Sequence, residues 1–119
     1  MNGGLITSNT STSINGGGGV RIIEDSFFTM NGGEISGNKA TATTSAGGVG
    51  IRSPGTFRMT GGTIYGNIAE NNLDPSNALV NGGPAKSAEH GRFVGDVWQR
   101  VGYLTSTDSD ITVDDGVLQ

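Results

Sequence analysis

One nonapeptide constrains the fold more than any other feature of the chain. MNGGLITSN at 1–9 returns as MNGGEISGN at 30–38 and as MTGGTIYGN at 59–67, with a period of 29 residues both times. The likeness runs beyond the nonapeptide: GGVRI (18–22) returns as GGVGI (47–51), and Phe28 returns as Phe57. Repetition at such a period marks arrays of small units that bury their apolar side chains only by stacking on their neighbours.

Inside each unit the apolar residues step by two. Val20 and Ile22 flank Arg21, Phe28 and Met30 flank Thr29, and Phe57 and Met59 flank Arg58. That is the period of a half-buried strand. The chain holds 22 glycines in 119 residues, and glycine pairs between the apolar segments break any long helix. Three short strands per unit are therefore expected. If each unit makes one turn, every strand lies parallel to its copy 29 residues on, about 4.8 Å away, and like residues stack. The expected fold is all-β: a right-handed parallel β-helix (solenoid) of about four coils, with the hand set by the usual handedness of parallel crossovers. Residues 1–87 form the repeats (1–29, 30–58 and a degenerate 59–87), and 88–119 form a terminal coil whose strands cap the stack. Pro75 and Pro84 mark where the third unit loses the pattern.

Asn9, Asn38 and Asn67 each end an I-x-x-N segment. Asparagine tolerates a bend, and stacked side-chain amides can bond to one another, so these three are read as a structural ladder. Gly32-Gly33 and Gly61-Gly62 are read as sharp corners. Phe28, Phe57, Met30 and Met59 are read as core.

The last third carries the less repetitive side chains. Trp98 and Tyr103 are the candidate partner contacts, because large aromatics off the repeat are the residues an interface uses. His90 is read as a solvent-facing loop residue, and Asp108, Asp110, Asp114 and Asp115 as a solvated acidic turn. Asp-x-Asp spacing can hold calcium, but the acids fall outside the repeats, so no metal site is assigned.

Composition narrows the function classes. The chain has no cysteine, which excludes disulfides, thiolate zinc sites and thiol nucleophiles. A formal charge of −4 argues against nucleic acid as a partner. No apolar run is long enough to insert in a membrane, and no secretory leader pattern follows Met1. No G-x-S-x-G elbow or other catalytic constellation occurs, so no catalytic residue and no cofactor is assigned, and the chain is not expected to be an enzyme.

The quoted segments resemble known repeats. GGVRI (18–22), GGVGI (47–51) and the I-x-G-N pair at 35–38 and 64–67 resemble the repeats of polymorphic outer-membrane proteins and autotransporter-type bacterial adhesins of the pectin-lyase-like superfamily. FTMNGGEISGN (28–38) and FRMTGGTIYGN (57–67) are similar to glycine-rich repeats of bacterial surface proteins. The likeness covers about residues 1–80, with Ile where the first family usually has Phe. It implies an extracellular or cell-surface location, a structural or adhesive role, and a protein or glycan on a cell surface as partner. It transfers no active site.

The leading expectation is thus a non-catalytic, adhesin-type surface segment, a piece of a longer protein or a short gene cut from a repeat array. A small soluble interaction module, such as an inhibitor or assembly subunit, is the alternative. A polysaccharide lyase-like enzyme using Arg21, Arg52 or Arg58 comes third. Self-association through the exposed first-coil edge is also expected.

Overall fold

The fold is given by a computed structural model that describes residues 1–14, 16–43, 45–52, 55–70, 78–81 (backbone only), 88–104 and 110–119. It is all-β. Each of the first two units contributes four strands rather than the expected three: β1 (Leu5–Thr7), β2 (Thr10–Ser11), β3 (Val20–Ile22) and β4 (Phe27–Met30), then β5 (Glu34–Ser36), β6 (Lys39–Ala40), β7 (Val49–Arg52) and β8 (Thr56–Met59). The additional strand is a dipeptide that follows each ladder asparagine. Its two residues are too few to give a readable period. The third unit supplies β9 (Gly62–Tyr65), β10 (Ile68–Ala69) and β11 (Ala78–Asn81). The remaining strands are β12 (Ala88–Val94), β13 (Val97–Tyr103), β14 (Ile111–Asp114) and β15 (Val117–Leu118).

The strands form four separate sheets, ordered β1-β5-β9-β14-β15, β10-β6-β2, β11-β7-β3 and β13-β12-β8-β4. This corrects the expected architecture. None of the sheets closes, and two of them mix parallel with antiparallel pairs. A single right-handed parallel β-helix of about four coils with capping strands is not what forms, and the solenoid and pectin-lyase-like descriptions go with it. The physical cause lies after the third unit. There the chain reverses, with β14 antiparallel to β9, and both β12–β13 and β14–β15 are antiparallel pairs. Asp115 (φ 46°) and Gly116 (φ 77°) make the turn of the second pair. Two successive positive φ values suit the right-handed twist of a tight hairpin.

The 29-residue spacing does fix who neighbours whom in the first three units. Ile6, Ile35 and Ile64 lie opposite one another on β1, β5 and β9. Val20 faces Val49, Ile22 faces Ile51, and Phe28 and Met30 face Phe57 and Met59. The side chains of Met30, Ile35, Val49, Ile51, Phe57, Met59 and Ile64 are fully buried. Phe28 and Phe57 are tilted at 5.8 Å between centroids. The corners between strands rest on glycine where the chain turns inward. Gly33 and Gly62 have φ of 89° and 106°, and a Cβ on Gly62 would meet Gly33 O at 2.8 Å.

At β12 the spacing becomes 31, since Ala88 lies opposite Phe57 and His90 opposite Met59. Ile111 extends the isoleucine column from the reversed strand β14, opposite Ile64. Pro75, Pro84 and Asp108 lie outside the described residues.

Candidate functional site

The sheet β13-β12-β8-β4 turns one face to the core and one outward. On β8, Phe57 and Met59 are buried, while Thr56 and Arg58 alternate with them toward solvent. On β12, Ala88 and His90 point inward and Glu89 outward. Glu89 is opposite Arg58 on one side and opposite Tyr103 on the other. Period-two alternation therefore delivers residues from β4, β8, β12 and β13 to one outer surface.

Glu89 sits at the centre of that surface with its side chain 15% exposed. Trp98 Nε1 donates to Glu89 Oε2 at 2.6 Å. Arg58 Nε lies 3.8 Å from the same oxygen, and an Arg100 guanidinium nitrogen lies 3.9 Å from Oε1. The Arg58 guanidinium lies between two rings, 5.0 Å from the Phe27 centroid and 5.2 Å from that of Trp98. Arg100 covers Tyr103 at 4.4 Å, and Phe93 tilts against Trp98 at 5.0 Å. Cations within about 6 Å of a ring centroid gain from the ring quadrupole. The surface thus carries two guanidiniums against one carboxylate on a chain of net charge −4. Phe27 and Phe93 remain 64% and 43% exposed.

The two aromatic candidates, Trp98 and Tyr103, do come together here, joined through Glu89 and Arg100. Sequence reasoning did not find Glu89 and Phe27, and it weighed Arg58 only as a basic strand residue. Outward alternation was their one available signal. Arg21 and Arg52 belong to a different sheet from Arg58, the one ordered β11-β7-β3.

The asparagine ladder lies elsewhere. Asn9 Nδ2 donates to Asn38 Oδ1, and Asn38 Nδ2 donates to Asn67 Oδ1, both at 3.0 Å. Asn38 and Asn67 are buried and Asn9 is exposed. A second row runs outside, where Asn31 Nδ2 donates to Asn2 Oδ1 and Thr60 Oγ1 to Asn31 Oδ1.

His90 corrects an expectation. It is not in a solvent-facing loop but 7% exposed on β12, in the column that holds Met30 and Met59. Its Nδ1 is 2.9 Å from Gly116 O, and this contact seats the β14–β15 turn. The two-residue shift after the third unit hid this position from a strict 29-residue alignment. Asp110, Asp114 and Asp115 are exposed. Among the described residues no group of three or more His, Cys, Asp or Glu comes together to hold a metal ion.

On β5 and β9, Ser36 Oγ and Tyr65 Oη both donate to Glu34 Oε1, at 2.6 and 2.7 Å. The Ser36 and Tyr65 hydroxyls hold the Glu34 carboxyl below its usual range, and the bond to Glu34 pushes the Tyr65 phenol up.

No family model, curated protein or solved structure matches the chain.

Proposed function

We propose that the chain is a non-catalytic, adhesin-type segment of a bacterial cell surface that contacts a protein or glycan through the outer face of β8, β12 and β13. The observation that carries this reading is the Arg58–Glu89–Trp98 cluster with Tyr103 and Arg100 beside it. Trp, Tyr and Arg are the residues over-represented at binding hot spots. Here they are held by one another, so little side-chain freedom remains to be lost on contact. The excess of guanidinium over carboxylate favours a partner surface with acidic groups. The repeat residues shared with surface-protein repeats support the location.

The test is binding of the 119-residue chain to an array of immobilised cell-surface glycans and surface proteins, with Trp98→Ala and Arg100→Glu as variants. The expected result is capture of acidic members that drops at least about tenfold in both variants, a loss of roughly 1.4 kcal/mol, with unchanged melting of Arg100→Glu. Equal capture by the parent chain and both variants, or no capture on any spot, overturns the reading.

A further inference from the structure

The β12–β13 hairpin carries a strand edge as well as a face. Its turn is Gly95-Asp96, with φ 61° at Gly95 and no positive φ at Asp96, the pattern of a two-residue II′ turn. Such a turn is closed by a hydrogen-bonded pair, here Val94 with Val97. Hydrogen-bonded and non-hydrogen-bonded pairs then alternate along an antiparallel ladder. Arg92 with Gln99 is of the first kind, and Phe93 with Trp98 and Gly91 with Arg100 are of the second. The backbone N–H and C=O groups of Trp98 and Arg100 therefore point away from β12. The other end of the hairpin gives the same phase. Leu104 N donates to Ala88 O at 2.9 Å, and the register steps by one residue at Val101.

Among the described residues β13 is the last strand of its sheet. The edge belongs to the interior of the chain. β12 precedes it, and the chain goes on from it to β14, which pairs with β9 in a different sheet.

Side chains and backbone groups act together on this edge. Trp98 and Arg100, whose backbone groups face outward along it, also place their side chains on the outer face beside Glu89. A strand laid along β13 brings every second side chain against these two. Arg100 is 47% exposed and stands 3.9 Å from Glu89 Oε1, an ion-pair distance too long for a hydrogen bond. Its N–H donors are not spent on Glu89, and a carboxylate from an added strand suits them. Val97, one residue out of phase, is 58% exposed, so the intervening positions favour apolar side chains.

We propose that the edge of β13 takes an extended segment of a partner protein as an added strand, with acidic residues at alternate positions against Trp98 and Arg100 and apolar ones between. The proposal rests on the contact reading above and narrows its partner from a protein or glycan to an extended acidic peptide. In this mode main-chain bonds supply affinity and alternate side chains supply specificity. Charge selects such a partner over a second copy of this chain. Two β13 edges side by side set their Arg100 side chains on one face, like charge against like.

The probe is a peptide of alternating valine and aspartate, about nine residues long. Trp98 is the only tryptophan of the chain, so its fluorescence reports binding at the edge. The expected result is a saturable change in that fluorescence and slower hydrogen exchange of the Trp98 and Arg100 amides, with the Gln99 amide, already turned to β12, unchanged. N-methylation of one alternate set of peptide residues weakens binding at least about tenfold, whereas N-methylation of the other set leaves it, because only one set faces β13. Arg100→Glu weakens binding at least about tenfold and Arg100→Lys largely keeps it. The methylated peptides need no variant of the protein to fold. No response to the peptide, equal effects of the two methylation sets, or equal binding of a valine–lysine peptide overturns the proposal. So do Trp98 and Arg100 amides that slow with protein concentration alone, which puts a second copy on the edge. An acidic glycan captured through Trp98 and Arg100, with no response to the peptide, overturns strand addition and leaves the contact reading standing.

Discussion

Asn38 donates from its side chain to Asn67 Oδ1 and also from its backbone N–H to the same oxygen, each at 3.0 Å. Asn38 Nδ2 reaches Ile6 O as well, and its own Oδ1 accepts from Asn9 N and Nδ2. One buried amide thus ties three units together. Asn38→Ala leaves several of these groups unpaired inside the protein, a loss of about 1–3 kcal/mol. Asn9→Ala, at the exposed end of the row, costs much less. Asn38→Asp separates geometry from hydrogen bonding, because a carboxylate cannot donate to Asn67 Oδ1 or Ile6 O. Burial raises the folded pKa of the introduced carboxyl above its unfolded value, so the Asn38→Asp variant is destabilised more at pH 7 than at pH 4. Urea melts of the three variants check this. A loss below about 0.3 kcal/mol for Asn38→Ala would remove the ladder as a source of stability.

Ser8 has φ 60°, while its counterparts Gly37 and Gly66 have φ 64° and 63°. The same corner is therefore made three times, and only the first unit makes it with a side chain. A left-handed conformation costs a non-glycine residue about 1–2 kcal/mol, partly offset because glycine leaves a more disordered unfolded chain. Ser8→Gly is expected to stabilise the protein by about 0.5–1 kcal/mol, read as a rise in the midpoint of chemical unfolding. A fall in the midpoint would show that the Ser8 side chain stabilises the corner through some other interaction.

Glu34 and Tyr65 give a pH dependence with two arms. The Glu34 carboxyl is held low by Ser36 and Tyr65. Its contribution to stability is full above the usual carboxylate range and is lost as pH falls through the depressed folded value. Tyr65 is pushed up by its bond to Glu34. The neutral phenol is the favoured form, so its contribution is full below the usual phenol value and is lost as pH rises through the raised one. Ultraviolet titration is expected to show Tyr65 ionising above an unperturbed tyrosine, and Glu34→Gln is expected to bring it down. A Tyr65 titration unmoved by Glu34→Gln would break the link.

The columns were legible because Ile35 and Ile64, or Phe28 and Phe57, recur at one spacing in strands that alternate cleanly. The architecture was not. A repeat spacing says which residues pair, but it does not say that the sheets join, and strands such as β2 and β6 are too short to show in a pattern. The reversals are partly readable: Asp115-Gly116 between Val113 and Val117 is a hairpin signal, masked by the aspartates around it, which read as an acidic turn. His90 escaped because its column mate lies 31 residues before it, and a two-residue shift preserves the in–out alternation while breaking the alignment. Outward alternation marks Arg58, Glu89 and Trp98 singly, but not the Arg58–Glu89–Trp98 cluster, because β8 meets the β12–β13 hairpin only through the long-range pairing of Arg58 with Glu89.

The buried side of β12 and β13 offers the sharpest test of that reassignment. Gly102 lies opposite His90, and a Cβ on Gly102 would stand 2.6 Å from His90 Nε2. The imidazole occupies the space that a side chain at 102 would need, while its Nδ1 is held by Gly116 O. Gly102→Ala therefore forces either the ring or the β13 backbone to shift, an overpacking loss of about 1–3 kcal/mol. His90→Ala destabilises too, through the cavity it opens and the bond to Gly116 it removes. The two losses should not add. With the ring gone the new methyl enters open space, and Gly102→Ala in the His90→Ala background costs less than about 0.5 kcal/mol. Urea melts of the parent, the two single variants and the double variant measure the coupling. Additive losses would mean that the ring of His90 does not face Gly102 and that the histidine points away from the core.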